Sequence, residues 1–286
     1  MLKRLLTLIP AVWFGVFAAS GPARAQGYVA RSTPWQMWLQ EPMSPSAEVV
    51  HDLNLLLIWI EAAIVIFVLA LMVYIIIRFS EKNNPTPSKT THNTLLEVIW
   101  TAVPILILIV IAVPSLKLLY YADSVPDAEM TLKVTGNQWY WSYIYPDNGD
   151  IEFDSIIVPT EELKKGQPRL LTVDNEVVLP IKTNIRLLLT SNDVIHNWAI
   201  PSLGVKLDTT PGRTNETWVS INKEGSYYGM CSELCGVNHG FMPIHIRAVS
   251  KADFVAWTKM AKEKFAANDN NENRAIQVVS AAAATR

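Results

Sequence analysis

The sequence predicts a two-helix transmembrane hairpin, then an all-β sandwich of Greek-key type, then a short C-terminal helix. Three observations carry that reading. Half of the 286 residues are apolar and 17% are charged, against about 25% charged in an ordinary soluble domain. Two long runs concentrate the apolar excess. From Met130 onward the pattern changes to short alternating or apolar runs such as MTLKVTG, QWYWSYIY, RLLLTS and PIHIRAV, separated by Pro, Gly, Asn and Asp clusters, which is how strands and turns read.

Residues 1–25 have the form of a secretory signal peptide: Lys3 and Arg4, an apolar run, and a small-residue Ala23-Arg24-Ala25 site. The run is too short to cross a hydrocarbon core of roughly 30 Å. Residues 26–51 form an outer N-terminal segment, and 52–79 and 95–121 are the two spans. The loop between them, 80–94, with Arg78 at its edge, carries Lys82 and Lys89 against one acid, Glu81. Positive residues stay on the cytoplasmic side, so residues 26–51 and 122–250 face outward, in agreement with an export signal. The sandwich occupies 122–250. Helical spacing returns in 251–267, placing Phe254, Trp257, Ala261 and Phe265 on one packing stripe. The Asn- and Ala-rich tail, 268–286, is expected to be disordered. There is no internal repeat, no phosphate-cradling glycine loop and no basic patch for nucleic acid.

The chemistry gathers around the only two cysteines, Cys231 and Cys235, in CSELCGVNHGFMPI. In an exported protein a disulfide is the first expectation. Against it, His239 and Met242 follow at once, and His196 sits on an earlier strand in SNDVIHNWAIP. Thiolate, imidazole and thioether are soft ligands that favour copper, and a blue-copper site uses one Cys, two His and a weak axial Met. The extra thiolate is accounted for by a second copper. Cys231 and Cys235 would bridge both metals, His196 and His239 would bind one each, and Met242 and the Glu233 carbonyl would complete the shells. His245 reads as an ordinary strand residue. Shared thiolates spread one unpaired electron over two metals and leave no position for a reactant, which suits electron transfer.

Four motifs, CSELCGVNHGFMPI, VIHNWAIPSLGVKLDTTPGR, QWYWSYIYP and LLEVIWTAVP, in this family's order over residues 52–250, resemble cytochrome c oxidase subunit II. The resemblance implies a cupredoxin-like domain with a dinuclear CuA centre held by His196, Cys231, Glu233, Cys235, His239 and Met242. It implies a magnesium ion, shared with subunit I, at the Glu233 carboxylate, a hard ligand suited to it. Trp139 matches the residue through which electrons enter. Tyr140, Trp141, Tyr143 and Tyr145 read as packing. Glu97 matches an acid at the mouth of a proton path, and an ionisable residue at that depth invites a functional reading. Lys206 and Asp208 match a loop facing subunit I. Two positions depart from the family: Ile144 stands where glutamate is common, and Asn137 where histidine is. Glu61, inside the first span, has no partner that the sequence identifies.

The activity implied is transfer of electrons from cytochrome c through CuA to the haem of subunit I, for reduction of oxygen to water coupled to proton pumping. Subunits I and III, cytochrome c and the lipid bilayer would be the partners, at a bacterial inner membrane with the copper domain in the periplasm. Asp147, Asp150, Glu152, Asp154 and Asp193 are the candidate docking acids for a basic cytochrome c. A quinol oxidase subunit would lack ligands that are present here. A copper chaperone would not need two long spans. The sequence has no CxxCH haem motif, so the donor is a separate protein.

Overall fold

The computed structural model describes residues 28–265. The predicted signal peptide and the tail expected to be disordered lie outside them.

The first long helix runs Pro45–Arg78 and the second Thr94–Asp123. The first starts seven residues before the predicted span because a capping signal lies upstream of the apolar run. The Ser44 side chain accepts from the Ala47 N–H at 3.0 Å and Pro45 occupies the first turn, where its missing N–H costs nothing. Asn93 caps the second helix through Leu96 N–H at 3.2 Å. Both helices are long and apolar enough to cross a membrane, and no residue of their most apolar stretches is fully buried within the chain. Pro104 and Pro114 sit inside the second helix, as membrane helices tolerate.

The outer domain is a sandwich. Its strands are β1 Tyr28–Ala30, β2 Met130–Asn137, β3 Tyr140–Tyr145, β4 Ile151–Ser155, β5 Val177–Pro180, β6 Ile185–Ser191, β7 His196–Ile200, β8 Val205–Thr209, β9 Asn215–Val219, β10 Gly225–Cys231 and β11 Pro243–Val249. One sheet has the order β5-β11-β10-β7-β8 with β1 alongside β10, and the other has the order β4-β3-β2-β6-β9. Strands β2, β3 and β4 alternate buried and open positions with period two, as a sheet with one covered face requires. Strand β7 is buried at every residue. Leu132, Val134, Leu187, Leu189, Trp198, Ile244 and Ile246 fill the space between the sheets, and burial of side chains this size contributes about 1.5–3 kcal/mol each. Trp198 Nε1 donates to Tyr143 Oη at 3.2 Å, and Tyr145 Oη donates to Val178 O at 3.1 Å, so buried polar atoms tie one sheet to the other.

Residues 251–265 are helical. The predicted stripe is the packed one: Phe254, Ala261 and Phe265 are buried and Trp257 packs against the core, with Phe265 stacked on Phe153 at 4.7 Å.

The helices are fastened to the domain. Ser44 Oγ donates to Leu203 O at 2.6 Å and Met43 N to Ser202 O at 2.8 Å. Trp218 Nε1 donates to Tyr121 O at 3.3 Å, with the two rings edge to face at 5.5 Å.

Strand β7 pairs with β10 only at Met230 and Cys231, whereas β1 lies beside Gly225, Ser226 and Tyr227. At Gly229 an added Cβ would stand 2.0 Å from Ala199 O, so only glycine permits this approach. Gly229→Ala is expected to push β7 off β10 and lower stability by about 1–3 kcal/mol, the usual range for overpacking. Chemical denaturation of the full chain in detergent checks it, and an unchanged midpoint would contradict the close approach.

Candidate metal centre

The centre forms where β7 begins, β10 ends and β11 starts. His196 is the first residue of β7, Cys231 the last of β10, and the loop to Pro243 carries Cys235, His239 and Met242. Pairing of Cys231 with Trp198 sets the loop over His196.

The two sulfurs lie 3.9 Å apart, far beyond the roughly 2.05 Å of a disulfide, and both cysteines are free and buried. Cys231 Sγ lies 4.0 Å from His196 Nδ1 and 3.3 Å from Glu233 O. Cys235 Sγ lies 3.5 Å from His239 Nδ1 and 3.5 Å from Met242 Sδ. Donor atoms of His196, Cys231 and Cys235 all lie within 4.8 Å of one another. All six residues proposed from sequence as copper ligands are thus brought together. The loop is held by its own main chain, with His239 N–H bonded to Gly236 O at 3.2 Å and Phe241 N–H to Asn238 O at 2.8 Å. Trp141 Nε1 donates to Met242 O at 3.2 Å.

His196 is wholly buried, and its Nε2 stands 2.8 Å from Asp193 Oδ1. With the proton on Nε2 shared with that carboxylate, Nδ1 presents its lone pair to the sulfurs, an outer-shell arrangement that fixes the tautomer of a metal-binding imidazole. Burial disfavours the charged ring, but Cys231 and Asp193 outweigh it and hold the His196 pKa above its ordinary value. The ring sits under Gly136, where an added Cβ would lie 2.7 Å from Cδ2, and edge-on to Trp141 at 5.9 Å. Burial also works against charge on both thiols. At Cys231 it is outweighed by the His196 imidazole and by main-chain groups of Asn197 and Glu233, so this thiol titrates below its usual value. Cys235, buried and facing Cys231, is held above its own.

Soft sulfur and imidazole donors gathered in one buried cluster fit copper. The Glu233 main-chain oxygen faces the sulfurs while the residue itself is exposed.

Trp139 is half-buried against the loop, its Nε1 donating to Cys235 O at 3.1 Å. Gln138 Nε2 donates to the same oxygen at 2.7 Å, and Gln138 N–H to Asp193 Oδ2 at 2.7 Å. Gln138, Gly136 and the bridging function of Asp193 were not anticipated. A carboxylate three residues before a candidate ligand histidine was the available signal for the last.

The five candidate docking acids do not form one cluster. Asp193 is bonded to His196, and Asp154 accepts from Ser142 Oγ at 2.6 Å across the β3–β4 pair. Together these two carboxylates add to burial in raising the Tyr140 pKa, so they share one neighbourhood. Glu152 is opposite Ile144 farther along β4. Asp147 caps the start of β2 through Thr131 N–H at 2.6 Å, and Asp150 occupies the turn beside it. Asn137 is tied to Ser142 and Asn192 at 3.0 and 2.8 Å. Trp141, Tyr143 and Tyr145 are wholly buried, while Tyr140 is half-buried.

Glu97 is half-buried in the first turn of the second helix, at the end opposite the metal centre, and Glu61 is exposed on the first helix. Asp208 accepts from Asn197 Nδ2 at 2.7 Å, and Lys206 is exposed on the same strand. His245 lies away from the centre, stacked on Tyr228 at 4.4 Å.

Comparison with known proteins shows the family. The family described as cytochrome C oxidase subunit II, periplasmic domain, matches residues 130–249, and that described as cytochrome C oxidase subunit II, transmembrane domain, matches residues 32–118. The probable cytochrome c oxidase subunit 2 of Rickettsia bellii is 50% identical over 274 residues, covering 96% of this chain and 98% of its own. Cytochrome c oxidase subunit 2 of Phytophthora megasperma is 48% identical over 241 residues, covering 81% and 89%. A crystal structure of the periplasmic domain of subunit II of cytochrome oxidase from Bradyrhizobium japonicum is 54% identical, covering 50% of this chain and 99% of that one, with a TM-score of 0.47. The chain therefore belongs to the cytochrome c oxidase subunit II family.

Proposed function

We propose that the centre is a dinuclear CuA site. Through it the chain takes electrons from cytochrome c on the periplasmic side of a bacterial inner membrane and delivers them to the haem of subunit I, for reduction of oxygen to water coupled to proton pumping. The observation that carries this reading is the pair of buried thiols 3.9 Å apart, ringed by two imidazole nitrogens, a thioether and one carbonyl. When bound, two copper ions would supply one-electron redox chemistry, with the Cys231 and Cys235 thiolates holding them. His196 and His239 would hold one ion each, with Met242 and the Glu233 carbonyl completing the shells.

The chain's own residues set the stage for transfer. Asp193 fixes the His196 ring, and Gln138 and Trp139 grip the Cys235 carbonyl. The Trp139 ring spans from the loop to the surface, which supports its reading as the point where electrons enter. The Glu233 carboxylate would serve a magnesium ion shared with subunit I, on its hard-ligand chemistry. Subunit III would complete the complex. Glu97, at the cytoplasmic end of the second span, would gather protons for subunit I.

Cys231→Ser and Cys235→Ser should each lose the dinuclear site while the sandwich stays folded. Metal analysis and paramagnetic resonance decide it: wild type should show hyperfine coupling to two copper nuclei, and two coppers retained in either variant would sink the bridging assignment.

In stopped-flow with cytochrome c, the association rate should fall as salt rises past roughly 0.1 M, where charges are screened beyond about 10 Å. Trp139→Phe should bind the donor almost normally yet slow the first electron transfer with copper intact. A salt-independent rate would remove electrostatic docking, and unchanged transfer in the variant would return Trp139 to packing.

Glu97→Gln should slow steady oxygen consumption by the assembled oxidase and leave copper reduction fast. Undiminished turnover would leave Glu97 as an acid solvated at the membrane surface.

A further inference from the structure

Between β1 and the first long helix the chain carries an exposed apolar tip that neither the sandwich nor the metal centre uses. Trp35 and Met37 are 97% and 98% exposed, and Trp38 and Leu39 45% and 44%. A few contacts fix where the tip lies. Gln36 closes a turn, accepting from Thr33 N–H at 3.0 Å and donating from Nε2 to Trp38 O at 2.9 Å. The chain then runs beside the helix, where Gln40 O lies 3.1 Å from His51 Nε2 and the Trp38 ring meets the His51 ring edge-on at 6.3 Å. It rejoins the domain at Met43, bonded to Ser202 and Asn222.

The tip is therefore pinned level with His51, two residues before the apolar run that opens at Leu53. His51 lies 27 residues before Arg78, which at 1.5 Å per residue is about 40 Å along the helix. A bilayer with its headgroups is about 40–45 Å thick. With Arg78 at the cytoplasmic boundary, His51 and the tip fall in the outer headgroup layer.

We infer that Trp35, Met37 and Trp38 form an interfacial anchor seated among the phospholipid headgroups and upper acyl chains of the outer leaflet. Lipid is the occupant because the tip continues the exposed apolar band of the helix, where Leu55, Ile58 and Trp59 are open directly below His51. Its chemistry also suits that layer: two indoles alternate with Gln36 and Gln40, and amphipathic rings concentrate where the bilayer turns from apolar to wet. The anchor clamps the N-terminal strap to the membrane beside the span, a contact separate from those that fasten the domain to the helix ends. This inference rests on reading the two long helices as spans.

The test uses the full chain in nanodiscs of phosphatidylcholine, either plain or brominated on the acyl carbons nearest the headgroup. Bromine quenches only nearby tryptophans, and Trp59 and Trp100, within the long helices, serve as internal standards. The Trp35→Phe/Trp38→Phe variant should keep the wild-type dichroism and lose part of the bromine quenching, the remainder coming from the standards. Equal quenching in variant and wild type would overturn the anchor. So would a loss of that component on going from the isolated chain to the assembled oxidase, which would assign the tip to a neighbouring subunit. Absence of quenching from every tryptophan would overturn the spans themselves, a distinguishable failure.

Discussion

The metal centre depends on two residues of pairing. Strand β7 pairs with β10 only at Met230 and Cys231, and that short ladder sets His196 beneath the cysteine loop. Gly229 permits the approach, because any side chain there would collide with the Ala199 carbonyl. Gly136 does the same from the other sheet, leaving room for the His196 ring. Missing side chains thus define the depth of the site as firmly as the ligands define its chemistry. One carboxylate, Asp193, reaches the imidazole and the Gln138 main-chain N–H together, so the turn carrying Trp139 and the strand carrying His196 share a single buttress.

Much of this was legible in the sequence, for identifiable reasons. Hydropathy found both spans because lipid removes the need for a polar face. Period two found the sandwich because each strand has one covered side. The cluster was legible because Cys231, Cys235, His239 and Met242 lie close in sequence, so spacing alone brings them near one another, and His196 opens a strand earlier in the same domain. The start of the first helix was missed because its cap, Ser44 and Pro45, lies above the membrane, where hydropathy is silent. The pairing of Tyr28 with Gly225 was invisible because nothing local in either segment names so distant a partner.

Asp193 shows a subtler limit. Read as a surface acid, it entered a group with Asp147 and Asp150. In the fold it braces the His196 ring, while Asp147 caps a strand at the far turn. Charge pattern reveals how many acids a region holds, but not which of them have hydrogen-bonding duties already. Only Asp154 and Asp193 share the surroundings of Tyr140, next to Trp139.

The outer domain is fastened near the start of one helix, through Ser44 and Leu203, and at the end of the other, through Tyr121 and Trp218. A body bolted to two shafts cannot spin about either. Its attitude is inherited from the angle at which the shafts cross, so a change in helix packing deep in the bilayer would tilt both sheets, and the ligand loop with them, as one piece.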